Sequence, residues 1–471
     1  MVKYILFISL LLPVTLFSQT GTEKIFSRQQ IKDDISFFVK TVENVHPNPY
    51  HAITKEKFTL LTDSIIKSLK ENTTLSEAWV CFSKMMAAYN EGHSSIGYPT
   101  ELQQQIQAGT IQLFPVLIKE FNGENLVVRY DLSMDSVLKT GDLITHINGQ
   151  SAGQLLATLN SLYGGLPTWR NIQVLRDFAG QLVLHTIQAP YRIRYTRAGV
   201  KKEITIQPVS LAYLQARATE IRKQNSITTS LANYTFQRTE ENIGYLNFRS
   251  MKDLPLFSRF LDSVFTVIKE NPVTGLIIDL RQNGGGNSAL GDKLISYISD
   301  KPYRMAGGSK WKISDEYKTF IKEQAKKNDV YASGSFQQYL TKTTGDISSE
   351  IESRTHGGGK NKLRYSGKIG VLTGPNTFSS ANMLSNAIKD YQLATIIGEA
   401  TGEAPNDYGE LYWNKLPNTG LSFYTCSKQF IRANGDADDP NPVLPDIIVK
   451  QNPNNLNDEV LEFAKRWVRL K

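Results

Sequence analysis

Two stretches of this chain put reactive residue types where backbone geometry can activate them. In Asn376-Thr377-Phe378-Ser379-Ser380-Ala381-Asn382, two serines follow the short apolar run 368–373 and precede Met383, Leu384, Ala387, Ile388 and Tyr391, which recur at helical spacing. A further apolar run, 394–398, comes next. The order strand, helix, strand is the crossover from which parallel sheets are built. Ser379 and Ser380 then fall in the first helical turn, where unpaired N–H groups and the positive end of the helix dipole favour a developing anion. A serine there is either a nucleophile or a plain helix cap. The second stretch, Arg281-Gln282-Asn283-Gly284-Gly285-Gly286-Asn287, runs out of another buried-strand pattern at 275–280. Glycines at such an exit let N–H groups approach a ligand without a Cβ in the way. A phosphate cradle would need glycines followed by Lys-Ser/Thr, which is absent, so an oxyanion hole fits the stretch better.

The elements that must hold these junctions can be read along the chain. Residues 19–98 carry helical periodicity (Ile31, Ile35, Phe38, Val42; then Phe58, Leu61, Ile65; then Ala78, Phe82, Met85), broken at His46-Pro47-Asn48-Pro49. Thr74 followed by Glu77 is a capping box opening the third helix. Residues 110–208 switch to short alternating strands, with a turn at Asn122-Gly123 and a helical stretch from about Gly153. The segment Gly141-Asp142-Leu143-Ile144 through Ile147-Asn148-Gly149 resembles a PDZ domain, and a generic β-domain is the alternative. A PDZ-like groove would take an extended peptide by strand addition. Residues 209–450 alternate strand and helix as an α/β core, interrupted at 299–365 by a polar, Lys- and Gly-rich insertion expected over the site. Residues 451–471 complete the chain with a helix.

Composition sets outer bounds. At 471 residues, 40% hydrophobic and 21% charged, the chain is large enough for two or three domains, and its net charge of +8 is spread out rather than striped, which argues against nucleic acid as a partner. Residues 1–18, a basic start followed by a short apolar core, read as a secretory signal peptide, and no later run suggests a transmembrane anchor. The expected location is periplasmic or secreted. The two cysteines, Cys81 and Cys426, are read either as a disulfide or as two buried thiols. No His-x-x-x-His or Cys-x-x-Cys spacing recommends a metal, and no cofactor is expected. His46, His51, His146, His185 and His356 carry structural readings only.

Taken together, the ordered segments resemble the tail-specific or C-terminal processing serine peptidases, a family that includes the tricorn core protease and interphotoreceptor retinoid-binding protein. The resemblance rests on Asp279-Leu280-Arg281-Gln282-Asn283-Gly284-Gly285-Gly286, on the Ser379 segment, on Gly398-Glu399, and on Val443-Leu444-Pro445-Asp446. It implies an α/β crotonase/ClpP-like catalytic core with an N-terminal helical region and an inserted PDZ-like β-domain. It implies Ser379 as nucleophile, with Ser380 the alternative, and an oxyanion hole from the amides of Gly285 and Ser380. One branch of the family uses a lysine shortly after the Gly-Glu landmark, and Thr401-Gly402-Glu403-Ala404-Pro405-Asn406 offers none. The other branch uses a histidine near the end of the N-terminal region, and His93 in Asn90-Glu91-Gly92-His93-Ser94-Ser95 resembles its segment. The acid that orients the histidine is expected at Asp439, with Asp438 or Asp436 as alternatives. The implied activity is an exported serine endopeptidase acting on unfolded protein or peptide. A degraded, ligand-binding relative on the same scaffold and a hydrolase of other acyl substrates are the competing readings.

Overall fold

The computed structural model describes residues 23–224, 232–332, 334–351, 357, 359–452, 455 and 457–470. The signal-peptide expectation at 1–18 and His356 lie outside the described residues. A six-stranded sheet organises the half that carries both junctions, in the order Tyr234–Arg238, Gly244–Phe248, Leu276–Asp279, Ile369–Thr373, Thr395–Gly398 and Ile447–Ile448. Every pairing after the first is parallel. Alternation explains why both faces are covered: Leu276, Ile278, Val371 and Ile396 point into one core with the helices Leu254–Glu270, Ala289–Ile298 and Ser380–Asp390, while Ile277, Leu372 and Ile397 point into another. That second face is closed by the helix Glu459–Arg469 through Val460, Ala464 and Val468. Its approach requires a glycine, since a Cβ on Gly275 would come within 2.5 Å of the Val468 Cβ. Arg281 locks the same helix by pairing with Asp279 at 2.6 Å and Asp458 at 2.7 Å.

The front of the chain reaches this core through a second sheet. The strands Ile347–Ile351, Gly308–Lys312, Ser422–Ile431 and Tyr408–Lys415 lie in that order, and Ser95–Ile96 pairs with Tyr424 and Phe423. The helices Arg28–Val45, Lys55–Ser68 and Leu75–Ala88 bury Ile31, Phe38, Phe82 and Met85 together with Phe423. The first and third open with capping boxes, Ser27 with Gln30 and Thr74 with Glu77. Buried Asp34 accepts the backbone N–H groups of Asn418 and Thr419 at 2.8 and 2.9 Å, fastening the first helix to the hairpin turn. His93 therefore enters the half that carries both junctions because the residues just after it are a strand of the second sheet.

Residues 110–208 contain a separate antiparallel sheet, Val116–Phe121, Leu126–Asp131, Leu143–Ile147, Tyr191–Arg197 and Val200–Ile206, with the helices Ala152–Asn160, Pro167–Arg176 and Phe178–Leu184. The insertion at 299–365 is more ordered than its composition suggested. It supplies two strands of the second sheet and the helices Asp315–Ala325 and Gly334–Thr341, whose aromatic residues Tyr317 and Tyr339 pack with Trp311 and Tyr412. Scattered lysines hid that cluster because they occupy the outer positions. Both cysteines are free thiols, which removes the disulfide alternative.

Candidate active site

Ser379 sits at the position before the helix Ser380–Asp390, with φ 54° and ψ −130°, a backbone conformation that is costly for a residue with a Cβ. Its neighbours hold it there. Thr377 donates from its hydroxyl to Leu280 O at 2.9 Å, Phe378 N–H donates to Asn283 O at 3.0 Å, and Met383 N–H donates to Ser379 O at 2.9 Å. The serine-bearing and glycine-bearing junctions are thus stitched to each other. Gly285 is in the left-handed region at φ 94°, and a Cβ on it would stand 2.7 Å from the Ser379 Cβ and 2.8 Å from Ser380 N.

His93 and Ser379 line one cavity of about 750 Å³, together with Gly286, Ser380 and Glu403. Glu403 links the two. One carboxylate oxygen accepts the Ser379 backbone N–H, and the other stands 3.3 Å from His93 Nδ1. The 3.3 Å contact lacks hydrogen-bond alignment, so both atoms are left without a hydrogen-bond partner in this conformation. Glu403 is positioned by its own loop: Gly402 N–H donates to Thr377 O at 3.0 Å, and Thr401 N–H donates to Val443 O at 3.2 Å.

The acid expected at Asp439 is corrected by these contacts. Asp439 pairs with the Arg432 guanidinium and accepts from Asn441 N–H at 2.9 Å, and those bonds hold its carboxyl below the usual range. Asp438 and Asp436 lie in the same exposed turn, Asp438 N–H donating to Asp436 Oδ1 at 3.1 Å. The carboxylate facing His93 is Glu403. The sequence did carry one signal for it, a charged side chain amid small residues in the very stretch inspected for a lysine. The Gly285 half of the expected oxyanion hole is occupied from within the protein in this conformation. Gly285 N–H donates to the Asn283 side-chain oxygen at 2.9 Å, so this amide is engaged away from an incoming carbonyl. Ser380, the alternative nucleophile, donates its hydroxyl to Gly286 O at 2.6 Å, a structural bond that favours Ser379 for attack.

The electrostatics are those of a buried site. Burial lowers the His93 pKa to about 4 against an opposing pull from Glu91, which leaves the imidazole neutral and able to accept a proton at neutral pH. Burial, then mutual repulsion with Asp407, raises Glu403 well above the ordinary carboxylate range. Asp407 is pushed up to about 7, chiefly by burial and then by the charge on Glu91. The two neighbouring carboxyls therefore share a proton at neutral pH. Glu403 is shifted the further of the two, so at rest the shared proton sits on Glu403 and the negative charge on Asp407, and an imidazolium at His93 would draw that charge onto Glu403. Behind them, buried Glu91 contacts His46 Nε2 and accepts the Ser94 hydroxyl; burial pushes its pKa up, but His46 and these bonds outweigh it and the net shift is downward. Asn48 N–H donates to His46 Nδ1 at 3.0 Å, so the His46 proton faces Glu91. His46 is thus a buried hydrogen-bond partner of Glu91, which no spacing in the sequence could reveal. His93, Glu403 and Asp407 also bring ligand atoms within 4.8 Å of one another, a spacing that could hold a metal ion, although the shared proton answers the same charge repulsion.

Residues 242–449 match the model of Peptidase family S41. The chain carries a family S41 serine-peptidase region. Among solved structures, it is similar to mature CPAF (TM-score 0.66, 15% identity, covering 94% of this chain and 97% of that one) and to mature CPAF complexed with lactacystin (TM-score 0.66, 15% identity, 94% and 98%). It is also similar to the photosystem II D1 C-terminal processing protease (TM-score 0.44, 15% identity, 94% and 98%). At these identities the CPAF likeness shows the fold, and the family match makes this chain a serine-type peptidase. The S41 region spans the Gly285 and Ser379 junctions and Glu403, while His93 is delivered from outside it.

Proposed function

We propose that this S41 peptidase is an exported endopeptidase in which Ser379, His93 and Glu403 form the hydrolytic unit. Ser379 Oγ attacks a peptide carbonyl while His93 takes the hydroxyl proton, and the imidazolium then protonates the leaving amine. Water repeats the cycle on the acyl-enzyme. Glu403 holds His93 in the tautomer whose free nitrogen faces the serine and stabilises the imidazolium. Ser380 N–H, at the start of its helix, is one oxyanion donor. The second forms when Gly285 N–H leaves the Asn283 side chain, a rotation a glycine permits. Each such donor contributes about 3 kcal/mol to the transition state. Substrate is an extended peptide, engaged in part by the PDZ-like sheet of residues 110–208. Export follows from the signal-peptide reading, and among the described residues no helix is long and apolar enough to cross a membrane.

The observation that carries this reading is the single carboxylate, Glu403, in contact with both the Ser379 amide and the His93 ring. Labelling with a serine-directed phosphonate tests it. Ser379→Ala is expected to abolish labelling with the fold intact, and His93→Ala to abolish casein turnover. Labelling that persists in Ser379→Ala sinks the assignment.

A further inference from the structure

Trp169 belongs to the helix Pro167–Arg176 of the inserted β-unit, yet its ring packs against the segments that carry Ser379 and His93. Its contacts form a pattern. The indole stacks on Phe378 with ring centroids 3.7 Å apart and planes 7° apart. Its Nε1–H donates to Gly92 O at 3.3 Å. A Cβ on Gly402 would meet its Cε3 at 3.3 Å. Phe378, Gly92 and Gly402 are the residues immediately before Ser379, His93 and Glu403. One side chain therefore touches the backbone neighbour of every member of the hydrolytic unit.

Two more side chains of the same helix repeat the arrangement further back. Arg170 donates to the Asn90 side chain, three residues before His93, and Arg176 donates to Asn376 Oδ1 at 3.3 Å, three residues before Ser379. The Arg176 guanidinium also lies 5.6 Å from the Trp169 ring centre. On the other side of the helix, Val174 is fully buried in the core of the β-unit beside Phe114, Val116 and Tyr191. The helix cannot shift in the β-unit without moving Trp169.

We infer that Trp169 is a positioning residue through which the inserted β-unit sets the mutual register of Ser379, His93 and Glu403. The inference rests on the hydrolytic reading above only for what the register serves. Its physical basis is that these three residues come from distant segments, with no covalent constraint among them, while a misplacement near 1 Å can cost on the order of a hundredfold in rate. A flat, rigid ring packed against all three segments removes that freedom. Phe378 relays the stack to His93, whose ring centroid is 4.6 Å from its own.

The test uses the full mature chain and the variants Trp169→Ala, Trp169→Leu and Trp169→Phe, with melting curves as the folding control. Phosphonate labelling of Ser379 is expected to slow at least about thirtyfold in the alanine and leucine variants, and to stay within about fivefold in the phenylalanine variant, which keeps a stacking face. Leucine retains apolar bulk and serves if the alanine form does not fold. A second readout is the His93 titration midpoint by NMR, measured with Ser379→Ala as background so that it is independent of turnover. The charged groups facing His93 are Glu403 and Asp407 from one loop and Glu91 from its own, the last paired with His46. Trp169 carries no charge, so the midpoint is expected to rise from about 4 toward the ordinary histidine value in Trp169→Ala as water enters. Labelling of a folded alanine or leucine variant within threefold of the parent, or an unmoved midpoint, overturns the inference. If the parent chain itself is not labelled, the hydrolytic reading fails, and the midpoint alone decides whether Trp169 positions His93.

Discussion

Replacing Glu403 by glutamine changes one charge at nearly constant volume, at a residue that is only 4% exposed. In the resting state His93 is neutral, so the charge contributes little until the imidazolium forms during attack. At that moment the proton shared with Asp407 moves off Glu403, and opposite charges, at most a full unit each, stand 3.3 Å apart. With an effective dielectric of about 20, their interaction is about 5 kcal/mol, which corresponds to a rate factor of roughly 10³ to 10⁴. The amide of the variant returns part of this as a dipole and can also select the wrong imidazole tautomer, as carboxylate-to-amide changes do in serine triads. The expected result is therefore a fall in kcat of roughly 10² to 10⁴ with KM for a casein-derived peptide within about threefold. Asp439→Asn is the matched control. Its carboxylate pairs with Arg432 in an exposed turn, and the expected change in kcat is below about threefold. A Glu403→Gln enzyme within threefold of the parent, or an Asp439→Asn enzyme that is the more damaged of the two, refutes the assignment of the orienting acid.

Two further outcomes follow from the geometry. Because burial lowers the His93 pKa to about 4, the base is unprotonated above that value, so the acid limb of kcat/KM is expected between about pH 4 and 5; a limb at the ordinary histidine value near 6.5 would contradict a buried general base. Gly92→Ala places a Cβ 2.8 Å from Phe378 Cζ and 3.1 Å from Trp169 Nε1, so phosphonate labelling is expected to slow at least tenfold while the melting midpoint falls by only the few degrees that overpacking costs, and an unaffected labelling rate would show that this packing does not control the site.

Much of the catalytic scaffold was legible because it depends on local periodicity. The runs at 275–280 and 368–373 alternate between two buried faces, and the serine-bearing turn follows the second, so strand, junction and helix were readable without coordinates. The capping box at Thr74 illustrates the same point at the scale of four residues. Asp439 and Glu403 show where that legibility ends. Both are acids in loops of the core, and the small residues around Glu403 mark it as unusual without saying which acid faces the histidine. The choice is made by Arg432, which captures Asp439, and by the Thr377 to Gly402 hydrogen bond, which carries Glu403 to the serine.

By itself the sequence determined the strands and helices of the catalytic scaffold and the junction able to carry an activated serine, since hydrophobic period, glycine placement and caps act over a few residues. The tertiary structure decided who meets whom: that His93 is brought in by the pairing of Ser95–Ile96 with the strand Ser422–Ile431, that Glu91 and His46 lie buried behind it, and that Trp169 comes from a different unit to touch three segments at once. Those contacts join residues separated by up to several hundred positions, and their energies depend on burial and on the presence of a specific partner. Neither quantity exists until the chain has folded.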